Sequence, residues 1–281
     1  MRQIIDAHCH IYPDKIAEKA ANAIGAFYHI PARHDGKLDT LLRCGAAAGI
    51  DRYLVFSVAT KPTQTVSIND YIVETVARHE GQMLGLGTIH PDNTEPGVHV
   101  EYMLAHGLRG VKLHPDIQGV ALDDPRCMRI FEACEGRLPV LLHTGDKRFD
   151  YSNPNRLLPV LERFPHLTVI GAHFGGYSLW QCATEALAGR ENLYVDCSSS
   201  LFAMSPEEGR RLVRAWGVDH VLFGTDFPMW TPAEEVARVE ALGLTEEENE
   251  QVFHQNAEKI FGFEKRESIW PPAGNSACRP R

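Results

Sequence analysis

Short runs of apolar residues recur along this chain, and their number and spacing limit the fold more than any other feature. From the third run onward they return at intervals of about 25 to 30 residues, the length of one strand and one helix. They are rich in Ile, Val and Leu and alternate little with polar residues, which is typical of parallel strands covered on both faces. The eight predicted strands are Gln3–His8, Tyr53–Ser57, Met83–Thr88, Leu108–Leu113, Pro139–His143, Leu167–Ala172, Asn192–Asp196 and His220–Gly224.

The segments between these runs carry the signals of helices. Ser67–His79 places apolar residues close to an i, i+3, i+4 stripe. Other helices are expected to begin where a capping residue precedes a proline, at Asp124-Pro125 before Cys127–Glu135, at Ser205-Pro206 and at Thr231-Pro232. The segment Pro13–Lys37, between the first strand and the next clear helix, is predicted to form a flap or a helix over the mouth of the fold.

Eight strand-helix units fit either a closed barrel or a doubly wound open sheet. The glycine-rich fingerprint of dinucleotide-binding sheets is absent, and the count of eight favours closure. The length of 281 residues also suits one α/β barrel, which commonly takes about 250 residues. We therefore predict a single, distorted (β/α)8 TIM barrel over residues 1–265, with a loosely ordered tail over residues 266–281 that carries Pro, Gly and Ser.

Charge and cysteine usage exclude several classes of protein. The formal net charge is -9 and no long basic run occurs, so nothing favours a nucleic-acid partner. No apolar run is long enough to predict a membrane span, and the first residues do not resemble a secretion signal. The seven cysteines are an odd number and form no C-x-x-C pair, which argues against a disulfide framework. We expect a cytoplasmic enzyme with a small-molecule substrate.

Histidines and one aspartate stand where the predicted strands end. His8 and His10 are two residues apart, so their side chains point the same way from the first strand. His143, His173 and Asp226 end or follow the fifth, sixth and eighth strands, and strand ends of a barrel meet at one mouth. An H-x-H pair alone arises by chance, but four such strand ends predict a metal site. Imidazole with carboxylate suits zinc foremost, or manganese or iron.

Six sequence motifs resemble the amidohydrolase superfamily. They are D-A-H-C-H around His8, G-V-K-L-H-P at Gly110–Pro115, L-L-H-T-G at Leu141–Gly145, G-A-H-F-G-G at Gly171–Gly176, Y-V-D-C-S at Tyr194–Ser198 and F-G-T-D-F-P at Phe223–Pro228. The branch most similar is the amidohydrolase-related group that includes the aminocarboxymuconate semialdehyde decarboxylase type. The resemblance runs from Ile5 to about Phe263, and it implies a TIM barrel with a metal at the C-terminal ends of the strands.

The resemblance also implies roles for individual residues. His8, His10, His143 and Asp226 match the ligands of the first metal, and Asp226 also handles a proton of metal-bound water. His173 matches a residue that contacts the water or substrate in one-metal members and binds the second ion in two-metal members. We expect one divalent ion, with two as the alternative. A homodimer is a further expectation, because relatives often form dimers.

Three more residues are candidates for substrate contact or for bridging two ions. Lys112 lies where some two-metal relatives carry a carbamylated bridging lysine, but an ordinary lysine that binds a substrate carboxylate or pairs with an acid is the favoured interpretation. His114 follows by inner-face parity, and His90 ends the third strand and is a candidate for lining the pocket.

Two reactions fit this set of residues. The first is hydrolysis of a small amide, lactone or ester by metal-activated water, with Asp226 as the proton acceptor and His173 as a second base or oxyanion contact. The alternative is non-oxidative decarboxylation of a small carboxylated substrate. The absence of obvious long insertions favours the hydrolase. A third hypothesis, a metal-binding barrel without catalysis, is disfavoured because the ligand set is complete.

Overall fold

The computed structural model describes residues 2–263, so the predicted tail over residues 266–281 lies outside the described part of the chain. Within that part the strands are short, parallel and buried, as the apolar runs predict. Their bounds are β1 Ile5–His10, β2 Arg52–Phe56, β3 Met83–Gly85, β4 Gly87–Thr88, β5 Val111–Leu113, β6 Val140–Leu142, β7 Val169–Gly171, β8 Leu193–Asp196 and β9 Val221–Leu222.

The strands close into a barrel of eight staves. β1, β2 and β3 pair in that order, and β4 to β9 pair in theirs. β3 and β4 form one stave interrupted at Leu86, whose N–H donates to Val55 of β2, while the Gly87 N–H donates to Gly110 on the other side. A parallel bridge between Cys9 and Phe227 joins the last stave to the first. The predicted (β/α)8 barrel is confirmed, and its distortion is this broken third stave.

The predicted strand positions are confirmed, but several ends differ. β1 extends to His10 rather than ending at His8, because the His10 N–H donates to the Phe227 carbonyl at the closing seam. The strand starting at Val111 was predicted from Leu108. The Leu108 N–H donates to the Met103 carbonyl and the Arg109 N–H to the Gly85 carbonyl. Regular pairing with both neighbouring strands therefore begins only at Val111.

Helices surround the barrel in the intervals between strands. Asp124 caps its helix through its side chain, which accepts from the Arg126 N–H, and Ser205 forms a complete capping box with Glu208. Thr231 precedes its helix without a side-chain cap. The bounds are α1 Asp14–Tyr28, α2 Leu38–Ala47, α3 Thr65–Arg78, α4 Pro96–Ala105, α5 Pro115–Gln118, α6 Pro125–Cys134, α7 Leu157–Arg163, α8 Trp180–Leu187, α9 Pro206–Trp216, α10 Pro232–Glu240, α11 Glu246–Glu250 and, after a π-helical turn at Gln251–Gln255, α12 Asn256–Phe261. No helix in residues 2–263 is long and apolar enough to cross a membrane.

A register shift in β1 decides which of its side chains face the barrel axis. Ile5 and Ala7 pack with inward side chains of the other strands, whereas Cys9 packs on the outer side with Tyr53 and Val55. The pairing of β1 with β2 shifts between Asp6 and Cys9. Because of this irregularity His8 follows Ala7 on the inner side, and His8 and His10 both reach the mouth.

Candidate metal centre

The mouth of the barrel holds a cavity of about 640 Å³. Helix α1 forms one wall of this cavity with Ile16, Ala20 and Phe27, so the segment after β1 adopts the helical alternative of the prediction. The loop after β2 and the first half of α3 also line the cavity. The polar residues at its base are His8, His10, Lys112, His114, His143, His173 and Asp226.

Three side chains converge at the base of the cavity. The His8 Nε2 atom lies 3.3 Å from His10 Nε2 and 3.3 Å from Asp226 Oδ1, and His10 Nε2 lies 3.5 Å from the same oxygen. His8 is fully buried and the other two are nearly so. Burial lowers the pKa of both imidazoles well below the ordinary value, so they are neutral and carry lone pairs.

Asp196, at the end of β8, fixes the orientation of His8. Its Oδ2 atom lies 2.8 Å from His8 Nδ1, and its Oδ1 atom accepts from the backbone N–H groups of His173 and Ser198. The carboxylate has no exposed surface. A carboxylate can only accept here, so the His8 proton is on Nδ1 and its Nε2 lone pair points toward His10 and Asp226.

Asp226 is held in place by a chain of donors behind it. The Ser199 hydroxyl donates to Asp226 Oδ2 at 2.5 Å, and the Trp230 indole N–H donates to the Ser199 oxygen at 2.7 Å. The Asp226 backbone is left-handed, with φ of 55°. Burial raises the pKa of the Asp226 carboxyl to about 7, with Ser199 and Lys112 acting in the opposite direction.

His143 and His173 lie beside this trio. Their rings are joined by a 3.1 Å contact between His143 Nδ1 and His173 Nε2. The predicted four-ligand set is therefore divided, because the ring nitrogens of His143 group with His114 and Asp116, whose donor atoms all lie within 4.8 Å of one another. His173 groups with His8 and Asp196 in the same way. Burial lowers the pKa of His173 to about 3.

Lys112 lies at the base of the cavity as a fully buried cation. Its Nζ lies 3.5 Å from His8 Nε2 and 5.1 Å from the centre of the Phe56 ring. No carboxylate of residues 2–263 lies within 4.0 Å of it, so the alternative of direct pairing with an acid is not what the structure contains. Burial lowers its pKa to about 8, although the charges of Asp196 and Asp226 oppose that shift.

Of the remaining two candidates, the structure brings one into the cavity. His114 lines it and lies with its ring parallel to that of His143, 4.0 Å between centres. His90 is not among the residues that line the cavity. Its Nδ1 accepts from the backbone N–H of Asp92 at 3.2 Å, so its ring serves the loop after β4 rather than the site.

The sequence profile of the Amidohydrolase family matches residues 5–263. The chain belongs to this family. A curated relative, the 2-amino-3-carboxymuconate-6-semialdehyde decarboxylase of Dictyostelium discoideum, is 27% identical over 150 residues, which is 44% of this chain and 42% of that protein. The chain thus aligns with less than half the length of that relative.

Solved structures extend the fold comparison over nearly the whole amidohydrolase. An uncharacterized TIM-barrel protein from Bordetella bronchiseptica aligns with a TM-score of 0.77 at 21% identity, over 93% of this chain and 99% of that one. A dihydroxybenzoic acid decarboxylase from Polaromonas, solved with bound manganese and 2-nitroresorcinol, aligns with a TM-score of 0.72 at 16% identity, over 96% and 100%. At these identities the structures establish the barrel fold.

These comparisons correct one prediction. The hydrolase interpretation is wrong, because the curated relative named above is a decarboxylase, and so are solved neighbours such as a 5-carboxyvanillate, a 2,6-dihydroxybenzoate and a dihydroxybenzoic acid decarboxylase. The physical reason for the error is that a metal with an adjacent carboxylate serves either reaction, and chain compactness does not distinguish them. The decarboxylase alternative is the one that the relatives support.

The donor set of this amidohydrolase fits a divalent ion. Two ligands about 2.1 Å from one tetrahedral ion lie about 3.4 Å apart, which is the spacing of the His8, His10 and Asp226 donor atoms. The lone pair of His8 Nε2 and the carboxylate of Asp226 face each other in a buried space, and they repel unless a cation or a proton lies between them. The carboxylate of Asp196 behind His8 is the usual outer partner of a metal-bound histidine.

Sequence reasoning did not select two residues that shape this site. Asp196 stands at a strand end like the other ligands, inside the Y-V-D-C-S motif, so the strand-end rule that found Asp226 applies equally to it. Tyr28, the last residue of α1, contacts His114 and His143 through its hydroxyl. No strand-end or spacing signal marks it, because it reaches the site from the helical wall.

Proposed function

We propose that this amidohydrolase is a metal-dependent, non-oxidative decarboxylase of a small aromatic or otherwise unsaturated carboxylic acid. The observation that carries the proposal is the sequence match to a decarboxylase of an unsaturated acid. The convergence of His8, His10 and Asp226 beside the buried cation of Lys112 supports it. The cavity of about 640 Å³ is within the range of small-ligand sites, about 300 to 1,000 Å³.

In this reaction the bond between the carboxyl carbon and its neighbour breaks, and carbon dioxide leaves. The electron pair stays on the neighbouring carbon, which takes up one proton, so no oxidant or reductant is needed. His8, His10 and Asp226 would hold the ion, and His143, whose ring lies beside the trio against His173, is kept as the proposed fourth ligand. When bound, the ion would orient and polarise oxygen atoms of the substrate. One ion is proposed because the trio converges on one point. Manganese is the first candidate, since a solved neighbour contains it, and zinc is the second.

The residues of the chain divide the remaining work. Lys112 is proposed to bind the substrate carboxylate, because a buried cation without a carboxylate partner is costly until one arrives. Asp226 and His173 both border the cavity and are proposed to hold and deliver the proton that the carbon receives. The apolar wall of α1 keeps bulk water from the reacting carbon.

The experiment combines metal analysis with product detection. Protein purified without chelator is incubated in D₂O with 2,6-dihydroxybenzoate and 5-carboxyvanillate, the acids in the names of two solved neighbours. We expect about one manganese or zinc ion per chain, carbon dioxide release, and one deuterium at the vacated carbon. Release of an alcohol or amine from ester or amide probes, without carbon dioxide from any acid tested, would reject the proposal.

Lys112→Met tests the carboxylate contact. It keeps the length of the side chain but removes its charge, so KM is expected to rise at least tenfold, on the scale of a charged hydrogen bond. Lys19→Met is the matched control, because Lys19 also borders the cavity but is exposed on α1. An equal effect of the two substitutions would place the carboxylate elsewhere.

A further inference from the structure

The hydroxyl of Tyr28 occupies the gap between two histidines of the site. Its oxygen lies 2.7 Å from His114 Nε2, and 3.2 Å from the Nε2 and 3.4 Å from the Nδ1 of His143. Tyr28 ends helix α1 and borders the cavity. The direction of each of these hydrogen bonds decides whether Tyr28 offers a ligand its hydrogen or its oxygen.

The contacts of His173 with Ser198 and with His143 determine which ring nitrogen of each of these two histidines carries the proton. His173 Nδ1 lies 3.0 Å from both the carbonyl and the hydroxyl oxygen of Ser198. The carbonyl can only accept, and the Ser198 hydroxyl already donates to Asp196 at 2.5 Å. His173 therefore carries its proton on Nδ1, and its Nε2 accepts. The 3.1 Å contact then requires His143 to donate from Nδ1, which leaves a lone pair on His143 Nε2.

The near end fixes the third histidine. His114 Nδ1 accepts the backbone N–H of Ile117 at 3.4 Å. A neutral imidazole has one N–H, so the proton of His114 is on Nε2 and is donated to the Tyr28 oxygen. The Tyr28 hydrogen is then left for His143 Nε2. Asp116, whose Oδ2 lies 3.5 Å from that nitrogen, already accepts from the hydroxyl and N–H of Ser152.

The position of Tyr28 is set by a separate clasp. The Arg148 guanidinium lies over the rings of Phe27, Tyr28 and Phe149, at 5.1 to 5.4 Å from their centres. It donates to the carbonyl of Phe27 at 2.6 Å and forms a two-pronged ion pair with the buried Asp146. The end of α1 is thereby tied to the loop after β6.

We propose that Tyr28 is a substrate-binding residue that donates its hydroxyl hydrogen to an acceptor oxygen of the substrate. This deepens the proposed function and rests on it. The Tyr28 oxygen already accepts a hydrogen bond from His114, so Tyr28 offers a ligand its hydroxyl hydrogen. A substrate oxygen in the cavity then replaces His143 Nε2 as the acceptor of that hydrogen. The favoured substrate is an acid with a second acceptor oxygen, such as a phenolate, a carbonyl or another carboxylate, in addition to the carboxylate that leaves.

The directions of the hydrogen bonds are tested without any turnover. Imidazole ¹⁵N spectra of the metal-free protein report which ring nitrogen carries each proton. We expect the Nε2–H form for His114 and the Nδ1–H form for His143 and His173, assigned with single-histidine variants. An Nδ1–H form of His114 would turn the Tyr28 hydroxyl around and overturn the proposal.

The substrate contact is tested by calorimetric measurement of the binding of 2,6-dihydroxybenzoate and of benzoate, which has the carboxylate but lacks the two hydroxyl groups. Tyr28→Phe is expected to weaken binding of the dihydroxy acid at least tenfold, as for a hydrogen bond to a charged group, and to leave benzoate nearly unchanged. Tyr177→Phe is the matched control. Its ring packs 5.4 Å from that of Tyr28, but within residues 2–263 its hydroxyl bonds to no histidine.

A second pair of variants guards against a change in folding. His114→Gln keeps a side-chain N–H for Tyr28, and His114→Leu does not, so only the second should weaken binding of the dihydroxy acid. Equal affinities in wild type and Tyr28→Phe, or no binding of either acid by the wild type, would overturn the proposal. Tyr28-dependent binding without carbon dioxide release would sink the decarboxylase alone. Carbon dioxide release together with an affinity for the dihydroxy acid that does not depend on Tyr28 would contradict this inference and leave the proposed reaction standing.

Discussion

The cavity has a floor and a roof that are built differently. The floor consists of His8, His10, Asp196 and Asp226, which stand at strand ends and hold one another through contacts of 2.8 to 3.5 Å. The roof is helix α1 with Tyr28, and the end of this helix is tied by Arg148 to the loop after β6. The barrel thus supports the reactive groups rigidly, while recognition of the ligand depends on an attachment that can change without disturbing the strands.

The strongest way to break the floor is to remove the carboxylate at its centre. Asp226→Asn keeps the shape but removes a proposed ligand and proton carrier, so kcat should fall by about a hundredfold or more. Turnover and metal content are measured together, with circular dichroism as the check on folding. Ser199→Ala, which removes one hydrogen bond to Asp226 and the one that Ser199 accepts from Trp230, is the graded control. Near-normal turnover in Asp226→Asn would remove this residue from the mechanism.

Asp196→Asn tests whether the floor depends on its outer partner. The amide can still accept a hydrogen bond, but it no longer stabilises the Nδ1–H form of His8 by charge. Metal affinity is expected to fall by roughly 10- to 100-fold, as for other outer partners of metal-bound histidines. Competition with a chelator dye measures it. Unchanged affinity would mean that the barrel alone positions His8.

The roof is tested at its clasp. Arg148→Gln removes both the ion pair with Asp146 and the bond to the Phe27 carbonyl, so KM should rise about tenfold while kcat changes less. Arg156→Gln is the matched control, because Arg156 makes two ion pairs with Asp123 and Asp150 but is not bonded to α1. A fall in kcat with constant KM would show that the roof takes part in the chemistry instead.

The smallest expected effect concerns Glu235, a buried residue of α10 that lies outside the floor but close enough to interact with the charge of Asp226. Burial raises the pKa of Glu235 to about 7, although the nearby positive charge of Arg238 lowers it. A raised acid pKa favours the protonated folded form, so this stabilisation is complete below about pH 4.5 and is lost as pH rises toward 7. Glu235→Gln should therefore gain thermal stability relative to wild type between pH 5 and pH 8, as scanning calorimetry would register. A constant difference in melting temperature would contradict this.

The floor was open to prediction from sequence, and so was a flap or helix over the mouth within Pro13–Lys37, but the contacts that the roof makes were not. His8, His10 and Asp226 follow from one rule, that strand ends of a parallel barrel share a mouth, and the structure brings these three together. The rule places residues at the same mouth but does not resolve distances within it. For that reason it did not foresee that His143 groups with His114 and Asp116, and it did not remove His90, whose strand also ends there.

Tyr28 was beyond the reach of that rule for a physical reason. Its partners His114 and His143 are 86 and 115 positions away, and the contact depends on how α1 lies against the barrel, which Arg148 of a distant loop helps to fix. Periodicity predicts that a segment is helical, but it does not say how the helix lies on the barrel. The break in the third strand at Leu86 was not predicted for a similar reason. It arises from hydrogen bonds to the two neighbouring strands, which the sequence of this segment does not show.

Two of the proposed active residues, His173 and Asp226, have left-handed backbones, with φ of 60° and 55°. Glycine takes this conformation freely, whereas other residues adopt it at some cost to the fold. Selection for catalysis and selection for an unstrained backbone therefore oppose each other at these positions. In a duplicated gene released from catalysis, selection for stability alone should favour glycine at both positions. A glycine at either place in a descendant would mark a barrel that has given up its reaction while keeping its shape.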